Sequence, residues 1–145
     1  MNKRLLLAER GSALLETALV LPLVLLISVG IFEFGRAYQT WQVLTNAVRE
    51  GARLAILPGE TASAVTGRVR TYMENSALPN WDTATISVTA TTVSVGPTTA
   101  PASKVTVSYP FQFIMLNPVA RLLGPTTMGQ NPFTMTAATE MRNEQ

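Results

Sequence analysis

The chain has 145 residues, 47% apolar and only 14% charged, with a net charge of +2 and neither histidine nor cysteine. That length is one domain, and the missing residue types exclude a Ser-His-Asp triad, His- or Cys-ligated zinc, thiolate chemistry and disulfides. Three of the 11 Lys and Arg but only one of the nine Asp and Glu lie in residues 1–11. The remainder is balanced and lacks the gathered basic patch that nucleic-acid binding needs.

Residues 1–11 form a basic leader with Lys3, Arg4 and Arg10. From Thr17 to Phe32 the chain carries no charge, and with Leu14, Leu15 and Phe34 the apolar stretch reaches roughly 20 residues, enough to cross a bilayer core as helix. We read residues 12–36 as a transmembrane helix, with a kink or loosened turn expected at Pro22. The stretch ends in "GIFEFGRAY", without the small-residue cleavage site of a removable secretory signal. By the positive-inside rule the N-terminus stays in the cytoplasm and everything after Arg36 is outside.

The helix continues. Tyr38, Trp41, Leu44, Val48, Ala52 and Ala55 recur at steps of three or four, opposite Gln39, Gln42, Asn46, Arg49, Glu50 and Arg53, so an amphipathic half over 37–57 follows the membrane half. Pro58-Gly59 ends a helix of about 44 residues and about 66 Å. A second helix over 61–77, capped by Thr61, carries Val65, Val69, Tyr72 and Met73.

Beyond Pro79 the period becomes that of strands. Ile86, Val88 and Ala90 alternate, and the pattern resumes out of phase at Val93 and Val95, which predicts a bulge or turn near Thr91 and Thr92. "GPTTAPAS" reads as a loop. Val105, Val107, Tyr109, Phe111 and Phe113 form a further strand, and Phe133, Met135 and Ala137 another running to Met141. A helical turn or two between Asn117-Pro118 and Gly124-Pro125 separates them. The fold class is α+β: a long N-terminal helix, a shorter second helix, and a small antiparallel sheet of three or four strands spanning 84–141 in a globular part of residues 37–145.

Glu16 stands out because an acid within a turn of a bilayer core is costly, and its default reading is functional. Glu33 and Arg36, three apart, are a possible pair at the other membrane boundary, worth about 0.2–0.5 kcal/mol as a plain helix-surface pair. Tyr38 and Trp41 read equally as interface anchors or as core, and Gly51 as a place where another backbone approaches closely. The Ser and Thr between Thr83 and Ser108 read as strand propensity and loop solubility. Glu50, Glu60, Glu74, Asp82, Glu140 and Glu144 are scattered singly and no phosphate-cradling glycine motif is present, so we expect no enzyme, metal or cofactor.

"RGSALLETALVLPLVLLISVGIFEFGRA" followed by "NAVREGARLA" resembles the TadE-like family, minor pseudopilins of tight-adherence (Flp-type) pilus systems, and "FTMTAATEMRNE" is similar to the family's last strand. The resemblance implies a pilin-like fold and a prepilin peptidase that cuts after Gly11, leaving Ser12 as the new N-terminus. It also implies that Glu16 recruits the free amine of the next subunit, with other pilins or pseudopilins, the inner-membrane assembly platform and the lipid bilayer as partners. Thr17 departs from the Tyr that often follows the acid in Flp-type sites. The expected location is the bacterial cytoplasmic membrane, with the C-terminal part periplasmic or extracellular. The rival expectation is a membrane-anchored binding or adhesion protein that keeps its leader and never polymerises.

Overall fold

The computed structural model describes residues 3–115 and 132–144. Along them run α1 (Lys3–Ala55), α2 (Ala62–Asn75), a 3-10 turn at Trp81–Thr83, and strands β1 (Thr85–Val95), β2 (Thr98–Phe111) and β3 (Phe133–Arg142). The fold is α+β with one three-stranded antiparallel sheet in the order β1-β2-β3. The helical turn expected around Asn117-Pro118 lies outside the described residues.

The first helix has 53 residues, about 80 Å, and starts at Lys3 rather than near Leu14. The leader is itself rich in Leu, Ala, Arg and Glu, and one Gly costs only about 1 kcal/mol relative to Ala, too little to stop a helix with neighbours of that kind. Helix assignment is unbroken through Pro22, which leaves the carbonyl of Ala18 without its usual donor. At the far end Leu57 N–H turns back to the Leu54 carbonyl, and Gly59 takes a left-handed φ of +84° that reverses the chain.

Thr61 caps α2 by accepting from the Ala64 N–H at 3.2 Å. The helix closes two residues earlier than expected, through a Schellman pair in which Leu78 N–H donates to Met73 O at 3.1 Å and Ala77 N–H to Glu74 O at 2.9 Å. Val65, Val69 and Met73 form its buried face.

The β1–β2 register runs without a gap from Thr85↔Ser108 to Val95↔Thr98, so the expected bulge at Thr91 and Thr92 is absent. Instead the apolar face changes. Ile86 and Val88 pack on the core, whereas Val93 and Val95, at odd positions of the same straight strand, stand on the opposite face. Only Gly96-Pro97 of "GPTTAPAS" is a turn, with Gly96 at φ +62°; β2 begins at Thr98. The two prolines of β2 are tolerated because each lies where the strand has one neighbour, Pro101 past the end of β3 and Pro110 past the end of β1.

The core lies between the outer half of α1, α2 and one face of the sheet. Leu44, Ala47, Val48 and Ala52 of α1 meet Val65, Val69 and Met73 of α2 and Val105, Val107, Tyr109 and Phe111 of β2. Gly51 is buried there, and what approaches it is not a backbone but the Val69 side chain, with Val105 and Val65 behind. Tyr38 and Trp41 lie outside the core, exposed and tilted against each other at 6.2 Å, with the Tyr38 hydroxyl accepting from Gln42. The buried positions of α1 are instead Glu33, Thr40 and, from Leu44 on, the core face.

Candidate functional site

Among the described residues nothing buries the most apolar stretch of α1, and the helix is long and apolar enough to cross a membrane. Ala13 to Phe32 is 20 residues, about 30 Å of helix, which matches a hydrocarbon core. Glu16 sits one turn inside its start and Glu33 one residue beyond its end. The two acids have opposite surroundings.

Glu16 is exposed on a shallow apolar groove of the helix surface shared with Thr17, Val20, Leu21, Val24 and Leu25. Thr17, the nearest hydroxyl in sequence, is committed to its own helix, donating to the Ala13 carbonyl at 2.8 Å, as Ser28 does to Val24. A carboxylate placed among apolar side chains in lipid demands a cation or a donor from another molecule. Gly11 and Ser12 lie in the same helix.

Glu33 is fully buried. Its carboxylate accepts from Arg36 Nη1 at 3.3 Å and from the backbone N–H of Met115. Arg36 turns its other terminal nitrogen to the Gln112 carbonyl at 2.9 Å, and its guanidinium lies 4.9 Å from the centre of the Phe111 ring. Phe111 in turn meets Phe113 edge-on at 5.2 Å. The pair is therefore not the plain helix-surface pair expected from its spacing: it is a buried clasp that fastens the end of β2 to the helix where the apolar half ends. Sequence spacing brings Glu33 and Arg36 together, but Gln112 and Met115, some 80 positions away, carry no local signal that could have found them.

Beside the clasp, α1, the turn at 76–80 and the end of β2 enclose a cleft of about 550 Å³ bordered by Arg36, Thr40, Leu78, Asn80, Tyr109 and Gln112. Arg36, the one cation among its described lining residues, is already engaged by Glu33 and Gln112. Tyr109 donates its hydroxyl to the Pro79 carbonyl at 2.6 Å; burial pushes the hydroxyl pKa up, against the opposing pull of Arg36. The cleft has the makings of a packed seam rather than a charged binding site.

At the other end of the globular part, α1 is tied down again. Ser103 Oγ donates to the Ala55 carbonyl at 3.3 Å and Glu144 N–H to the Ile56 carbonyl at 3.1 Å, while Asn143 N–H closes on Pro101. On the surface Arg68 Nε donates to Glu50 at 3.1 Å, linking α2 to α1, with Arg53 on the same carboxylate; the Arg68 hydrogen bond holds Glu50 below its usual pKa.

No curated protein and no solved structure matches the chain. Residues 11–53, from the glycine of the leader to the last turn of the long helix, match the family model described as TadE-like protein, and in that segment the chain is similar to the TadE-like family.

Proposed function

We propose that the chain is a minor pseudopilin of a tight-adherence pilus or a related secretion system. The observation that carries this is the coincidence of the TadE-like match over residues 11–53 with Glu16 standing on a wholly exposed apolar helix that has no partner for it within the described residues. In this reading a prepilin peptidase removes residues 1–11, and the ammonium of Ser12 becomes the new end of the helix. The carboxylate of one subunit then meets the ammonium of a neighbour displaced along the helix axis, which neutralises both charges inside the membrane. The leader charges hold the N-terminus in the cytoplasm, so the globular part faces the periplasm or the exterior. No bond to substrate is made or broken by the chain itself; its work is assembly.

The test is Glu16→Gln, similar in shape but uncharged. With leader cleavage to Ser12 confirmed by mass spectrometry and expression matched, the ratio of this protein in sheared pili to that in membranes should fall roughly tenfold or more, as loss of one desolvated charge pair implies. A ratio equal to wild type refutes the role assigned to Glu16. An uncleaved chain with intact Met1 in a pilus-bearing strain refutes the pseudopilin reading and leaves the unpolymerised membrane-anchored binding protein.

A further inference from the structure

Among the described residues, the end of the globular part that faces the apolar half of α1 exposes apolar side chains. Ile114 is 57% exposed, Met115 49% and Phe133 59%. Their height along the helix is fixed by the clasp, because Met115 N–H is bonded to Glu33, Gln112 O to Arg36, and Phe133 is the ladder partner of Phe111, whose ring lies under Arg36. At that level the helix itself exposes Ile31, Phe32 and Phe34. These six side chains form one apolar band, continuous with the apolar half of α1, at the level where a 30 Å core ends if it begins near Ala13.

We propose that Ile114, Met115 and Phe133 enter the lipid bilayer at its headgroup–acyl boundary, so that the protein meets the membrane at two places, the helix and the base of its domain. This rests on the reading of the apolar half of α1 as a membrane span. Two observations select lipid over a protein partner. The band is continuous with the surface that the span offers to lipid, and among the described residues the ionised groups at its level, Glu33 and Arg36, are neutralised against each other and against backbone, with Glu33 fully shielded. That shielding is what an acid at a hydrocarbon edge requires. A domain merely tethered above the surface would have no need of it and would show water a polar base.

The chain contains no cysteine, so single labelling sites are available. Leu23→Cys, Ile114→Cys, Phe133→Cys and Ser94→Cys, each carrying an environment-sensitive nitrobenzoxadiazole dye, are prepared in the full-length protein. Each is reconstituted in phosphatidylcholine–phosphatidylglycerol vesicles with and without brominated acyl chains, after circular dichroism confirms the native fold. The dye at Leu23 is expected to be strongly quenched and the dye at Ser94 unaffected. The dyes at Ile114 and Phe133 should be blue-shifted and quenched about half as strongly as that at Leu23, the behaviour of groups roughly 5–10 Å into the boundary region. If both behave like Ser94 while Leu23 is quenched, the base stands in water and the proposal is overturned. If both are blue-shifted but unquenched, another polypeptide covers the base and it is likewise overturned. If Leu23 is not quenched, it is the membrane-span reading that falls, and the proposal with it.

Discussion

Single positions set how closely the two helices approach. A methyl on Gly51 would fall inside the Cγ2 of Val69, a short stiff side chain with no exposed surface and no room to swing. Gly51→Ala should therefore destabilise the domain by about 1–3 kcal/mol, even after the helix-propensity gain of about 1 kcal/mol. Adding Val69→Ala should cost less than its effect alone, a coupling read from urea melts of the double-mutant cycle. A glycine in "REGARLA" was legible as a close approach; that Val69 makes it was not, because α2 reaches α1 through a turn whose direction no local pattern encodes. Nearby, Glu50 titrates below its ordinary 4.5 because Arg68 binds its ionised form. A lowered folded pKa adds stability above the unfolded value and loses it as pH falls through the folded one. Stability should drop in the window below pH 4.5, by about 0.3–1 kcal/mol for a largely exposed bridge, and Arg68→Gln should remove that part of the acid loss.

Among the elements, α2 ends with Ala77 at φ +52°, the left-handed position that glycine fills at most helix ends. The Leu78–Met73 bond and the burial of both side chains hold it there. Ala77→Gly removes the Cβ clash and should raise stability by about 0.5–1.5 kcal/mol, net of glycine's greater freedom in the unfolded chain; an unchanged melting temperature would show that the turn is not strained. The strands teach the opposite lesson about pattern. A two-residue period assumes that one face is buried along the whole strand, and the break at Thr91 was legible as an interruption. Its cause is that the hairpin outruns the core: among the described residues of β1 only Ile86 and Val88 pack on it, so nothing requires apolar residues on that face past Ala90. The same overhang explains why "GPTTAPAS", which has a loop's composition, pairs as strand.

For the molecule as a whole, the long helix is bound to its domain at two stations, the Glu33–Arg36 clasp and the ties from Ser103 and Glu144 to Ala55 and Ile56. Arg36→Met would leave Glu33 buried without its cation, a loss of about 3–5 kcal/mol if the site stayed closed, so the base should open instead. Because the upper station and the core are untouched, amide exchange at Gln112–Met115 should accelerate by about 100-fold or more while Val105 and Val107 stay protected. Uniform acceleration would mean that the clasp is part of the global core. The outline of this architecture was legible from periodicity and the apolar run alone: one long helix, a shorter one, a sheet. The clasp was not, since an i, i+3 pair looks the same whether it faces water or a strand end some 80 residues later.

Two stations also forbid swivelling. A helix held at one point can let its passenger turn about the axis; held at both Glu33 and Ala55 it acts as a keyed shaft. Seventeen positions separate Glu16 from Glu33, roughly 4.7 helical turns, so Glu16 points about a quarter turn away from the side that carries the sheet. Under the proposed assembly, a neighbour that engaged Glu16 would thereby be assigned a compass bearing on the domain far above it, and that bearing would set which flank of the outer surface two molecules present to each other.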